Sequence, residues 1–525
     1  PDGWTEAYAQ FVEGGWNGIS APEKYDGGGL PSAVALATVE MWNSANLAFS
    51  LCPLLTQGAI ESILAHGTAE QQATYLKKLV SGEWTATMNL TESQAGSDVG
   101  ALRTKAEPAE DGSWRISGQK IFITYGEHEL SENIIHLVLA RTPGAPAGTR
   151  GISLFIVPKY LVNEDGTLGA RNDLKCVSLE EKIGIHASPT AVMSYGDDGN
   201  CIGYLLGSEN KGMACMFTMM NSARLNVGVQ GLAIAERAYQ QAVDYARDRR
   251  QGQAPDMPKS EMTTIVHHAD VRRMLMTMRA NIEAMRCLIY LNGECLDKAH
   301  NHPDEDVRTN SMGMAELLTP LSKAWSTDLG VEMASLAVQV HGGMGFIEET
   351  GVGQYYRDAR ILPIYEGTNG IQALDLVGRK LSLQGGAPVR QLFADMEQTI
   401  DQLRQDGDDL AAVSRQLSLS LGALKEATDW LYSNAPNDPN AAPAGATPYL
   451  RMFATTVGGY LLAKSALKAR KMISAGGGDT DFLEAKIITC RFFAAQILPS
   501  ATALLAAVTD GPETLFAIAE ERLSV

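Results

Sequence analysis

The fold turns on Trp114-Arg-Ile-Ser-Gly-Gln-Lys-Ile-Phe-Ile-Thr124. Its side chains alternate with period two, which predicts a β-strand whose two faces meet different surroundings. Two short runs rich in Ile, Leu and Val follow at 133–140 and 151–157. Turn signals separate these segments at Asp111-Gly112, 143–148, Glu164-Asp-Gly166 and Asp197-Asp-Gly199. Several short strands punctuated in this way predict an antiparallel sandwich or barrel over residues 87–209.

On both sides of this block the period changes to that of a helix. In residues 1–86, Gly58-Ala-Ile-Glu-Ser-Ile-Leu-Ala-His-Gly67 spaces its apolar residues as a helix does and stops on glycine. Residues 69–80 repeat the pattern, and a Gly-Pro-rich interruption lies at 21–31. In residues 210–385, three long amphipathic stretches at 213–250, 262–299 and 308–340 suit a bundle of antiparallel helices. Their loops, 252–259 and 300–306, are short and polar. Residues 386–525 are helical again, cut by a linker-like stretch at 433–448 that is rich in Pro, Asn and Ala. The expected class is mainly α with a central β domain: an N-terminal helical domain, a β middle domain, a helical bundle and an additional C-terminal helical domain.

The chain has 525 residues, and 43 Lys+Arg against 61 Asp+Glu leave a net charge of −18. That disfavours a general nucleic-acid binder, which needs cations to displace counterions from phosphates. No uninterrupted apolar run reaches the roughly 18 residues of a membrane span. The richest, 497–508, is broken by Pro499, Ser500 and Thr502, so no integral membrane segment is expected. Seven scattered cysteines, an odd number without a C-x-x-C pair, imply reduced thiols and a cytoplasmic setting. The start, Pro1-Asp-Gly-Trp4, shows neither an initiator Met nor a basic-then-apolar leader. Nine histidines without H-E-x-x-H predict no metal site. Gly351-Val-Gly353 opens like a dinucleotide fingerprint, but Tyr356 occupies the third glycine's place and no βαβ context surrounds it.

Four segments have the residue types for chemistry. In Ile361-Leu-Pro-Ile-Tyr-Glu-Gly-Thr-Asn-Gly-Ile-Gln372, Glu366 sits between an apolar approach and a turn. Burial there would raise its proton affinity toward that of a general base; the alternative is a solvated loop glutamate. Met88-Asn-Leu-Thr-Glu-Ser-Gln-Ala-Gly-Ser-Asp98 is dense in hydroxyls and glycine, and either presents donors to a planar cofactor or is an ordinary loop. In Lys120-Ile-Phe-Ile-Thr-Tyr125, Phe122 and Thr124 would share one face of a strand. The glycines of Gln339-Val-His-Gly-Gly-Met-Gly345 either admit close approach of a ligand or cap a helix. Arg247, Arg249 and Arg250 close a long helix, as cations at its C-terminus or as a phosphate clamp.

The order of these motifs is more specific than any one of them. Over residues 58–380 it resembles the flavin-dependent acyl-CoA dehydrogenases. The added C-terminal block, with Pro448-Tyr-Leu-Arg-Met-Phe-Ala454, is similar to an enlarged bacterial branch of that family. Members of the branch act on 3-methylmercaptopropionyl-CoA or on medium- or long-chain fatty acyl-CoA.

The resemblance implies FAD as cofactor, with Glu366 removing the α-proton of an acyl-CoA thioester while the β-hydrogen leaves as hydride to flavin N5. It implies that Met88, Leu90, Thr91, Gly96 and Ser97 line the flavin with Phe122, Ile123 and Thr124, and that Thr368 and Gly370 close over it. Phe122 departs from the tryptophan usual there, and Gly370 from a larger polar residue. Arg249, Gln251, Gln339, Gly342 and Gly343 match positions that reach the FAD of a neighbouring subunit, which makes a homodimer or higher oligomer part of the expectation. Ser97, Asn221, Arg224 and Gly367 match substrate-side positions, Arg224 being available for a CoA phosphate. Electrons would pass to electron-transfer flavoprotein.

Two other readings compete. An acyl-CoA oxidase would share the fold and differ in admitting dioxygen. A DNA-binding relative should have a basic C-terminal block, whereas residues 386–525 hold 12 Lys+Arg and 16 Asp+Glu, a balance of −4.

Overall fold

The computed structural model describes residues 1–255, 257, 262–406 and 410–524. They form two compact units, residues 1–226 and 227–525.

The first unit begins with α1 (Trp4–Glu13), α2 (Ser32–Ala45), α3 (Leu47–His66) and α4 (Ala69–Ser81). Asn46 and Thr68 cap α3 and α4 with their side chains, Thr68 in a reciprocal capping box with Gln71. Ten strands follow: β1 (Trp84–Asn89), β2 (Lys105–Pro108), β3 (Trp114–Thr124), β4 (Asn133–Ala140), β5 (Ser153–Pro158), β6 (Tyr160–Val162), β7 (Leu168–Arg171), β8 (Leu174–Leu179), β9 (Thr190–Tyr195) and β10 (Ile202–Leu206). The main sheet runs β1-β4-β5-β10-β3-β9-β8, with β2 on β3, while β6 and β7 form a separate pair.

Strands β4 and β5 are buried at every residue because both their faces are covered. Ile135, Leu137 and Leu139 of β4 join α3 and α4 in one apolar core. Val138 and Ala140 face a second core with Ile116, Met193 and Tyr195 of β3 and β9. Double coverage explains why these strands read as continuous apolar runs while β3 alternates. Each large apolar side chain buried this way gains about 1.5–3 kcal/mol of transfer free energy. The expected antiparallel order is corrected at one place: β1 pairs with β4 in parallel. β2 and β3 lie between those two in sequence and supply the crossover that parallel strands need.

Helix α5 (Gly212–Asp248) begins in the first unit and ends in the second. There follow α6 (Ala269–Asn301), α7 (Glu305–Val340), α8 (Val352–Ala359), α9 (Asn369–Asp375), α10 (Ala387–Gln405), α11 (Ala411–Asn434), α12 (Ala441–Ser474), α13 (Thr480–Gln496) and short terminal helices. α6 starts about two turns later than its apolar pattern predicts, because Arg250 and Thr264 bridge and Gln251 N donates to Thr263 O. α7 starts earlier, because Asp304 accepts from the backbone N–H groups of Asp306 and Val307. The expected loop 252–259 lies partly outside the described residues.

The linker expected at 433–448 is shorter than predicted: only 435–440 connect α11 to α12. Residues 441–448 are the first two turns of α12, with Ala441, Gly445 and Ala446 buried. Pro443 falls in the first turn, where a missing N–H costs nothing, and burial of small residues outweighs the poor helix propensity of the rest. α12 packs against α7 and α9, which makes the C-terminal block part of the bundle's own wall.

By length and composition the stretches 47–66 and 480–509 are apolar enough to cross a membrane. The first is mostly buried inside the protein. In the second, α13 ends at Gln496 and a separate helix starts at Pro499.

Candidate active site

In the first unit, two of the segments singled out in the sequence are stitched together. Ile121 N donates to Thr91 O at 2.9 Å. Lys120, fully buried on β3, donates from Nζ to Leu90 O at 3.0 Å and to Glu92 Oε1 at 2.8 Å. Glu92 also accepts from Gln94 Nε2, from the N–H groups of Arg103 and Thr104, and from Thr104 Oγ1. Burial alone would raise the Glu92 carboxyl, but Lys120 and these donors outweigh it and hold the group at about 2. Burial pulls Lys120 down to about 8, against the pull of Glu92. The pair is therefore ionised at neutral pH, and it fixes residues 90–104 on β3.

The end of β3 is built to present a ring. Between Lys120 and Ile123 the register with β9 slips by one residue. At that bulge Phe122 takes φ +61° and leaves its side chain 58% exposed. A left-handed L-residue costs roughly 1–2 kcal/mol, and the bulge re-aims the side chain in return. Ile123 points into the core, so any ligand contact there would be through its backbone. Leu90 is buried, Met88, Thr91 and Thr124 are half-buried, and Gly96 and Ser97 are exposed. Asn221 is exposed on α5, whereas Arg224 is 5% exposed, its guanidinium over the Phe217 ring.

Near Asn221, Ser222 Oγ donates to Glu61 Oε1 of α3 at 2.9 Å. Glu61 is open to solvent, yet surrounding protein pushes its carboxyl up to about 7 against the Ser222 bond.

In the second unit, Glu366 and Gly367 form a left-handed pair at φ +56° and +80°. The glycine takes this conformation freely; the glutamate does so at a cost, so the surroundings must enforce it. Glu366 O accepts from Gln372 Nε2, and Gly367 O from Lys323 Nζ at 2.9 Å. Thr368 caps α9 through Oγ1. Tyr365 OH donates to Gln230 Oε1 of α5. The Glu366 side chain is half-buried and its Oε2 is shielded from solvent. Behind the loop, α5 presses on α7: a Cβ at Gly228 would lie 2.7 Å from Ser322 O, and one at Gly231 2.3 Å from Ser326 O.

A third group also lies in the second unit. Tyr245 of α5 stacks on His341 with ring centroids 4.3 Å apart, which brings the end of α5 to the glycine turn. Arg249, Gln251, Gln339, Gly342 and Gly343 are all exposed, beside Met344, Phe346 and Ile347, of which Phe346 is 90% exposed.

Family profiles described as the acyl-CoA dehydrogenase N-terminal, middle and C-terminal domains match residues 2–83, 87–197 and 210–381. The chain belongs to the acyl-CoA dehydrogenase family. A further profile, acetyl-CoA dehydrogenase C-terminal like, matches 392–519 of this acyl-CoA dehydrogenase. It is 51% identical to the 3-methylmercaptopropionyl-CoA dehydrogenase of Ruegeria pomeroyi over 515 residues, covering 98% of this chain and 87% of that one. It is 36% identical to a butyryl-CoA dehydrogenase of Syntrophomonas wolfei, covering 99% and 86%. The crystal structure of Caenorhabditis elegans ACDH-11 in complex with C11-CoA shares the fold over 99% of this chain and 84% of that one, with TM-score 0.79 and 21% identity.

The cofactor of this dehydrogenase family is FAD, and the first unit has features that fit it. Phe122 is an exposed aromatic on a strained bulge, a platform that packing within the protein does not require. The neighbouring loop is held rigid by the Glu92–Lys120 pair. The sequence motifs do not reveal Lys120, Glu92, Lys323, Gln230 and Gln372 as supporting residues. The available signal was a lone Lys in an otherwise apolar stretch, Leu317-Leu-Thr-Pro-Leu-Ser-Lys-Ala-Trp325.

Proposed function

We propose that the protein dehydrogenates an acyl-CoA thioester to the trans-2-enoyl-CoA, with Glu366 as the base that removes the α-proton. The observation that carries this reading is the Glu366–Gly367 turn: a half-buried carboxylate held in a strained conformation by bonds to both carbonyl oxygens. Such strain persists where a side chain must be aimed. FAD, held by the residues named below, would supply the acceptor for the β-hydrogen as hydride. The backbone N–H of Glu366 would polarise the thioester carbonyl and lower the cost of forming the enolate. Met88, Leu90, Thr91, Gly96, Ser97, Phe122, Ile123 and Thr124 would hold the flavin, and Thr368 and Gly370 would close on it. Ser97, Asn221, Arg224 and Gly367 would bind substrate; Arg224 would have to swing out from its packing on Phe217 to meet a phosphate.

The substrate we favour is 3-methylmercaptopropionyl-CoA, on the strength of the 51% identity to an enzyme of that name. The second reading, a straight-chain fatty acyl-CoA, is supported by the butyryl-CoA dehydrogenase relative. The exposed cluster of Arg249, Gln251, Gln339, Gly342 and Gly343 beside Phe346 supports a homo-oligomer in which these residues reach a neighbouring subunit's FAD. Electron-transfer flavoprotein would be the acceptor, and a reducing cytoplasm suits seven free cysteines.

The test is a panel of acyl-CoA thioesters assayed with a dye acceptor, with and without dioxygen. Glu366→Gln should keep its yellow colour and bind thioester with almost no turnover. Turnover comparable to wild type would overturn the base, and turnover on dioxygen alone would favour an oxidase.

A further inference from the structure

Lys323 is a cation sealed inside the bundle, 0% exposed on the part of α7 against which Gly228 and Gly231 bring α5. Its Nζ donates to Gly367 O at 2.9 Å and to Asn369 Oδ1 at 2.8 Å. Asn369 is gripped in turn by the same helix: its Nδ2 lies 3.0 Å from Ala324 O, 3.0 Å from Thr327 Oγ1 and 2.7 Å from Asp328 Oδ1. The bundle thus holds both ends of the Gly367–Asn369 segment from about a turn and a half of α7. Placing an ammonium in this buried position is costly, so packing alone does not account for it. Its bonds go to a backbone carbonyl and a side-chain amide of the loop in which Glu366 takes its left-handed conformation.

We propose that Lys323, acting through the Gly367 carbonyl and Asn369, is a positioning residue for the Glu366 carboxylate; the inference rests on Glu366 being the base. Lys323 does not touch the substrate in this account. It keeps Glu366 and Gly367 in their left-handed turn, so the carboxylate is aimed before a thioester arrives. A misplacement of about 1 Å at a reacting group can cost roughly 100-fold in rate.

The experiment compares the FAD-loaded enzyme with its Lys323→Met, Asn369→Ser and Glu366→Gln variants. FAD content, thermal unfolding, kcat, KM and the pH profile of kcat are measured with the best thioester of the panel. Lys323→Met should retain FAD and leave KM within about twofold, while kcat falls about 100-fold. The acid limb of its pH profile should move up, because a cation near the base is gone. Asn369→Ser should show the same split with a smaller loss. A kcat within about threefold of wild type, or a raised KM with unchanged kcat, would overturn the proposal. If Lys323→Met does not fold, Asn369→Ser decides on the same criteria. An inactive Glu366→Gln beside a fully active Lys323→Met sinks only the positioning role; an active Glu366→Gln sinks the base and the proposal with it.

Discussion

Two loops in this chain are each pinned by one buried lysine, and the pins are built differently. Lys120 in the first unit holds residues 90–104 through an ion pair with Glu92 at 2.8 Å. Lys323 in the second unit holds residues 366–369 through neutral oxygens, Gly367 O and Asn369 Oδ1. Its charge is also felt by Asp328, whose carboxyl burial pushes up while Asn369, Arg451 and Lys323 pull it down. An ion pair makes a rigid platform, since either partner alone would be an uncompensated buried charge. Bonds to neutral oxygens fix the geometry of the loop that carries Glu366, the base proposed above. The first arrangement suits a surface on which a cofactor rests; the second suits a base that must be aimed.

The comparison is tested most severely by Lys120→Met. It strands Glu92 and should cost about 3–5 kcal/mol of stability, far more than Lys323→Met costs in thermal unfolding. Equal losses for the two variants would erase the distinction. Phe122→Gly removes both the strain and the ring. Stability should stay within about 0.5 kcal/mol of wild type while FAD affinity drops roughly tenfold, read by titrating apoprotein with FAD. Unchanged affinity would mean that the ring is not a platform.

A smaller effect is expected from Arg451→Met. Arg451 of α12 grips Glu332 with two N–H groups at 2.6 and 3.0 Å, one turn along α7 from Asp328. The pair is partly exposed, so its loss should cost about 1 kcal/mol or less, with kcat down about two- to threefold. A larger loss of kcat than Lys323→Met shows would move the anchor from α7 to the C-terminal block.

The smallest effect concerns pH. Glu61 is raised to about 7, so its contribution to stability is complete below about 4.5 and is lost as pH rises through 7. Glu92 is depressed to about 2, so its contribution is present above about 4.5 and is lost as pH falls toward 2. Glu61→Gln should therefore raise the melting temperature at pH 8 relative to wild type and leave it unchanged at pH 4. A Glu61→Gln protein with the same dependence as wild type between those pH values would mean that this carboxyl is not raised.

Much of the architecture was legible because it rests on local periodicity. Alternation around Ile116, helical spacing in 58–67 and glycine stops depend on neighbours in sequence, so helices flanking a β domain could be read off directly. The order of the motifs likewise carried the family, and it singled out Glu366 without any coordinates. The register slip at Phe122 was not legible, since a bulge depends on which strand lies alongside. The same holds for the first turns of α12, where burial of Ala441 and Gly445 overrode a composition typical of linkers.

What residue order alone determined, then, was the succession of elements, the acidic balance and the carboxylate at 366. Only the tertiary structure decided that Lys323, 43 positions earlier in the chain, stands behind that carboxylate's loop. It also decided that Lys120 and Glu92 face each other. The reason is physical: the role of a buried charge is set by which polar atoms replace its lost water, and those atoms arrive from distant segments that only packing brings together.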